Sequence, residues 1–481
     1  MAQTSAQTSN SLYDFLPRFF RLSLVSVLSN MMVPLAGLVD TAFLGHLDQI
    51  RYLAGVILGS ILFDYLYRVL KFLRSSTNAI TAQAAGREDP KAVLLAGLRS
   101  GLVALAIGGA IVLLQYPIQT LGFALLSGTG EVEASGADYF YGRVWGAPAV
   151  LLNFVLIGWF LGQENNGMVL LMAIVGNGSN VLLDYLMIFV WGWQSFGAGL
   201  ATAISQYLAL FVAAIGVLRL VNWPAAKTAI EELWDGPALR DTIALKGNLL
   251  IRFLILISTY AIFTNFSSLL GTTTLVQNGV LLQIALVSQF TIQGVGMTTQ
   301  TLIGNFKSKG DRDRLVPVLA VSLLAALPIA LVFALTTILF PTQVFGLLTN
   351  QAEVSSHLGD YAIWLLPLLV TTAISFMLEG YFIGLKAGAT LRNAVLLAFG
   401  LGFLPTAIAA LWQANNHLLW LSLVFYVLGL AIVLAVQLPK TLNPEAPLTP
   451  NPAPSTPLPE KPWTRRGINS PAHGRKPLRM G

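Results

Sequence analysis

Charge is what this chain lacks most. Lys, Arg, Asp and Glu supply only 10% of its 481 residues, where soluble domains carry roughly a quarter. Cysteine is absent, which excludes a disulfide framework and a thiolate metal site. The four histidines are scattered, and no His-rich or Asp-rich motif suggests a hydrolytic metal centre. Alternating ten-residue strands are missing as well, which excludes a membrane β-barrel. What fills the chain is apolar: 55% of residues are hydrophobic and the mean hydropathy is +0.70. Long apolar runs of this kind are membrane-spanning helices, so an all-α integral membrane protein is expected.

Twelve such helices can be laid out, at about 15–45, 52–85, 92–117, 135–163, 168–191, 197–219, 241–270, 275–306, 315–340, 354–385, 391–412 and 417–438. Each reaches the roughly 20 residues a bilayer needs. Loops on one side hold Arg87, Lys91, Lys227, Arg240, Lys307, Lys309, Arg312, Arg314 and Lys386, whereas those on the other hold only Arg51. By the positive-inside rule both termini are cytoplasmic, and a plasma (inner) membrane location is expected. Residues 1–14 are a short cytoplasmic segment without a basic leader and cleavage site, so the first apolar run is expected to be retained. From Lys440 onward seven Lys/Arg face Glu445 and Glu460 in a Pro-rich stretch. That tail, 439–481, has almost nothing to bury and reads as disordered. Its charge suits anionic lipid better than nucleic acid.

The chain repeats itself. Asp138-Tyr139 and Gly158-Trp-Phe160-Leu-Gly162 recur as Asp360-Tyr361 and Gly380-Tyr-Phe382-Ile-Gly384, each 222 residues on. Gly86-Arg-Glu-Asp89 recurs as Gly310-Asp-Arg-Asp313. Two six-helix lobes, 15–221 and 241–438, joined by a linker at 222–240, follow as parallel repeats about a pseudo-twofold axis along the membrane normal. Transporters are commonly built this way, although duplicated halves also build channels.

Acids inside apolar helices are costly and rarely face lipid. Asp40 and Asp184 lie six and seven residues inside their helix ends, and Thr202 five, so all three sit about 7–11 Å below one surface. Asn180 is one turn from Asp184 on the same face. This oxygen-rich group suits a proton shared between acids or a small hard cation. The plainer alternative, that each polar group only bonds a neighbouring helix, suits Asn180 or Thr202 singly better than two acids together. Pro34 offers a hinge in the first helix. Asp64, Arg68, Lys71 and Arg74 recur at helical steps: an Asp64–Arg68 ion pair is expected, with Lys71 either reaching toward the interface or binding an anion. Gln289, Gln293 and Gln300 share one face of helix 8, and Asn153 lies deep in helix 4. These four are candidate cavity residues, or interhelical bonds. Glu379 is a further candidate that could instead pair with Lys386, and Arg252 is expected near the cytoplasmic interface.

Pro34…Asp40-Thr-Ala, Phe72-Leu-Arg74-Ser-Ser-Thr…Thr81-Ala-Gln-Ala-Ala-Gly86, Asn180-Val-Leu-Leu-Asp184 and Gly199-Leu-Ala-Thr-Ala resemble the MATE (multidrug and toxic compound extrusion) family, its DinF-like branch in particular. The resemblance covers residues 15 to about 438. It implies a MATE-like fold and cation-coupled efflux of small organic molecules, with H+ or Na+ held at residues matching Asp40, Asn180, Asp184 and Thr202. No cofactor, catalytic residue or obligatory protein partner is implied; lipid is the surrounding partner. Where the branch shows Asp-Gly…Ala-Ala-Glu on helix 8, this chain has Gln293-Gly and Thr-Thr-Gln300, and Glu379-Gly380 replaces an Asp-Gly on helix 10. A lipid-linked oligosaccharide flippase, drawing on Arg68, Lys71 and Arg74, and a membrane-embedded enzyme using the two acids are the alternatives.

Overall fold

The computed structural model describes residues 12–45, 49–124, 130–221, 231–234, 236–346 and 359–442, with backbone alone at 33–42, 44–45, 50, 236–239, 241–242 and 346. These residues are helical throughout apart from their turns. In chain order the spans are α1 (Leu16–Gly45), α2 (Arg51–Gly86), α3 (Pro90–Leu113), α4 (Gly130–Val144 with Ala147–Gly162), α5 (Asn166–Val190), α6 (Gln194–Leu220), α7 (Ile243–Leu269), α8 (Thr272–Lys309), α9 (Arg312–Leu339), α10 (Gly359–Gly384), α11 (Gly388–Trp412) and α12 (Asn416–Leu442). α2 to α12 are long and apolar enough to cross a bilayer when the α4 pair counts as one span, and α1 adds thirty residues. α4 bends by 53° just before Pro148, which has no N–H to continue the ladder. Large side chains on the outside, such as Leu113, Leu324, Leu401 and Trp412, are apolar, as a lipid-facing surface requires.

The 222-residue repeat is carried in the backbone. Left-handed residues pair at that spacing: Glu88 with Gly310, Glu164 with Lys386, and Gly192 with Ala414. The repeated glycines pair too. On α4, a Cβ at Gly158 would strike the Arg74 carbonyl, and one at Gly162 would lie 2.6 Å from Thr81 Cβ. On α10, a Cβ at Gly380 would lie 2.5 Å from the Gly296 carbonyl, and one at Gly384 3.0 Å from Ile303 Cβ. Arg74 and Gly296, like Thr81 and Ile303, are again 222 apart. The motif is therefore a packing device: it lets α4 close on α2 in one lobe and α10 on α8 in the other.

Gly158→Val and Gly380→Val should each destabilise the protein, since overpacking a tight contact costs about 1–3 kcal/mol. Gly178, with nothing within 4 Å of its Cβ position, should accept alanine. Thermal unfolding in detergent, followed by tryptophan fluorescence, checks this; equal midpoints for all three variants would contradict it.

Twelve spans return the chain to the face on which α1 begins, called here the terminal face. On the half nearer that face the two lobes are bonded together. Gln300 Nε2 donates to the Ser75 carbonyl at 2.8 Å, Thr301 Oγ1 to Asn78 Oδ1 at 3.0 Å, and Gln83 Nε2 to the Gly384 carbonyl at 2.7 Å. Lys246 of α7 reaches across to Ser76 (3.2 Å) and Ser100 (3.0 Å). Ala82 and Gly304 are the same position in the two halves, and a Cβ on Gly304 would lie 3.1 Å from that of Ala82. The pseudo-twofold axis passes through this contact, because only a residue near such an axis meets its own counterpart.

Candidate functional site

α5 buries one narrow stripe, Val169, Met172, Gly176, Asn180 and Asp184, at steps of three and four. Leu171, Ile174 and Leu182 face outward. The stripe delivers Asn180 and Asp184 into the N-terminal lobe, where Asp184 is 1% exposed. Asn180 Nδ2 donates to Asp184 Oδ2 at 2.9 Å. Directly after Asp184 the helix widens into a π-helical turn, Tyr185–Val190; such turns loosen the helix and recur at functional sites. Nothing in the local sequence signals it.

Phe43 of α1 meets Phe189 edge-on, ring centroids 5.7 Å apart. The end of α1 that carries Asp40 thus packs beside the widened turn of α5. The side chains of Asp40 and Pro34 themselves lie outside the described residues. Thr202 is half-buried on α6, its hydroxyl donating to the Ala198 carbonyl at 2.9 Å; the oxygen can still accept. Asn153 is committed within the same lobe, donating to the Gln206 carbonyl at 2.9 Å, so it braces α4 against α6.

The second polar centre is a cavity of about 450 Å³ between the lobes, lined by α2, α7, α8 and Phe376 of α10. Its polar lining includes Asp64, Arg68, Lys71, Tyr260, Gln289 and Gln293. Gln289 Nε2 donates to the Tyr260 hydroxyl at 2.7 Å. Asp64 and Arg68 approach to 3.9 Å, as their spacing predicts, with both side chains substantially exposed. Lys71 sits where α2 is interrupted between Leu70 and Phe72, its Nζ 4.7 Å from the Phe290 ring centroid. It faces the cavity rather than the membrane interface. Arg74, one turn on, bonds Asn30 of α1 at 3.1 Å. The lining runs toward the face opposite the terminal one, to Ile61, Thr264 and Gly279; the seam begins below it.

Gln300 belongs to that seam and is 2% exposed, so helix 8 carries one glutamine face through two environments. Glu379 is buried in the C-terminal lobe, where Nε and Nη2 on one edge of the Arg252 guanidinium both donate to its carboxylate, the Nε–Oε1 bond measuring 2.9 Å. Its partner is therefore a residue of α7, not Lys386, and Arg252 is buried rather than interfacial. Sequence reasoning also missed Ser76, Asn78 and Thr301. The repeat could have exposed this stretch: Ser76-Thr77-Asn78 and Thr298-Thr299-Gln300 stand 222 apart with Thr301 next in line, and Asn78, Gln300 and Thr301 bond across the seam.

Two bundles of six spans around a cavity, joined on one face, with a separate acid in one bundle, define a multi-pass membrane transporter. The chain belongs to the MatE family, whose profile matches residues 26–186 and 249–411, one segment in each lobe. It is 31% identical over 413 residues to the DNA damage-inducible protein F of Escherichia coli, covering 85% of this chain and 88% of that one. To a probable multidrug resistance protein NorM of Thermotoga maritima it is 20% identical, covering 69% and 72%. Among solved structures, a MOP superfamily transporter from Pyrococcus furiosus, described as having a binding pocket of reverse polarity, superimposes with a TM-score of 0.79 at 19% identity, over 88% of this chain and 95% of that one. A MATE family multidrug resistance transporter in an outward-facing conformation gives the same score and coverage. The family is one of multidrug and toxic-compound efflux, which sets aside a membrane-embedded enzyme.

Proposed function

We propose that the protein is a secondary antiporter that exports amphipathic organic compounds by alternating access, driven by H+ or Na+. In this scheme lobes 15–221 and 241–438, joined by the cytoplasmic linker 222–240, rock about the seam in the plasma membrane, with both termini and the tail 439–481 in the cytoplasm. The cavity then faces outward. The observation that carries the proposal is the burial of Asp184 against Asn180 at a widened turn, apart from the cavity. Substrate and ion would thus bind at different places yet bias one equilibrium, and coupling is reciprocal by linkage. Asp40 and Thr202 complete the ion site, and Pro34 lets α1 change shape as the charge is neutralised.

Proteoliposomes carrying a proton gradient or a sodium gradient, imposed separately, test this with a fluorescent amphiphile. One of the gradients should drive its accumulation against a concentration difference. Movement that only dissipates the substrate gradient, whatever ion is supplied, would make the protein a passive carrier instead.

A further inference from the structure

Cation and anion balance unevenly around the cavity. Of the charged side chains lining it, Asp64 is acidic while Arg68 and Lys71 are basic. Asp64 does little to cancel them: it approaches Arg68 only to 3.9 Å, with side-chain exposures of 59% and 42%, and such exposed pairs hold weakly. Among the described residues no carboxylate lies within ion-pair distance of Lys71, whose ammonium rests on the face of Phe290. A charged amine in an apolar enclosure calls for a counter-ion. Glu379, buried in the C-terminal lobe, cannot supply one, because it is held by Arg252. On helix 8 the cavity presents Gln289 and Gln293, which are neutral.

We propose that this cavity takes amphipathic organic anions. The acid group lies between Arg68 and Lys71, and the apolar body lies against Phe290, Phe253 and Leu286. Arg68 and Lys71 are one turn apart on α2, so both can donate to one carboxylate, sulfonate or phosphate. A volume near 450 Å³ suits a drug-sized molecule. For transport the inference rests on the export function proposed above; for binding it stands alone.

The test uses two xanthene dyes of similar body and opposite net charge, sulforhodamine B (anionic) and rhodamine 6G (cationic), titrated by fluorescence polarisation against the full chain in phosphatidylcholine nanodiscs. The anionic dye should bind about tenfold tighter or more, the worth of one charge-assisted hydrogen bond. Arg68→Gln/Lys71→Gln should remove that preference, and Asp64→Asn should increase it. Tighter binding of rhodamine 6G, or an unchanged preference in the folded double variant, would overturn the proposal. Should the double variant not fold, Asp64→Asn decides alone, and weaker or equal sulforhodamine binding overturns it. Nanodiscs with a third phosphatidylglycerol identify the anion's source: competition assigns it to a lipid headgroup, and unchanged affinity to a soluble amphiphile. In proteoliposomes, selective binding without gradient-driven flux would defeat the export function and leave the anion site standing. Gradient-driven flux of rhodamine 6G alone would do the reverse.

Discussion

Asp184→Asn should reduce uphill export to the rate of passive leak while leaving the protein folded. The change keeps the shape of the side chain and an oxygen that can accept the bond now donated by Asn180 Nδ2 at 2.9 Å. It removes the negative charge that a proton or sodium ion would neutralise. An ion that swings a two-state equilibrium from about 1:99 to 99:1 must prefer one state by roughly 10⁴-fold; a site without charge gives no such preference. Export against a gradient should therefore fall by about a hundredfold or more, with the melting midpoint close to that of the wild type. Downhill exchange of substrate should persist, because the cavity is built from other residues. Asp40→Asn should behave alike if the two acids form one site. Wild-type accumulation by the Asp184→Asn protein would place the coupling group elsewhere.

Much of this architecture could be read from the chain because membranes make simple demands. Span length and apolarity located the helices, and the 222-residue repeat located the two halves. Asn180 and Asp184 were legible as a pair because i and i+4 lie on one helix face. The π-helical turn after Asp184 was not, since it depends on how α1 and α6 pack there. Gln289, Gln293 and Gln300 share a face, but α8 spans 38 residues and runs beyond the cavity; one periodic stripe therefore serves a pocket and a seam. Glu379 was harder still. Its partner is 127 residues away on another helix, and no local spacing records that.

Arg252 and Glu379 carry the other large expected effect, on stability. Both side chains are 6% exposed, so neither charge is hydrated once its partner is lost. Breaking a buried pair from one side costs about 3–5 kcal/mol, a large share of what holds a helical membrane protein together. Arg252→Met and Glu379→Met should each lower the thermal midpoint sharply and reduce expression. The double variant Arg252→Met/Glu379→Met should recover most of the loss, because two apolar side chains of similar length leave no uncompensated charge. Tryptophan fluorescence during heating gives the three midpoints, and a double-mutant cycle isolates the coupling. If the pair acts only as an internal tie between α7 and α10, the rescued double variant should also export at a rate near the wild type. A double variant that is stable but inactive would instead make Glu379 part of the transport cycle. The single variant Glu379→Gln then becomes informative: stability near the wild type together with lost export would show that its charge is needed for transport and not for the fold.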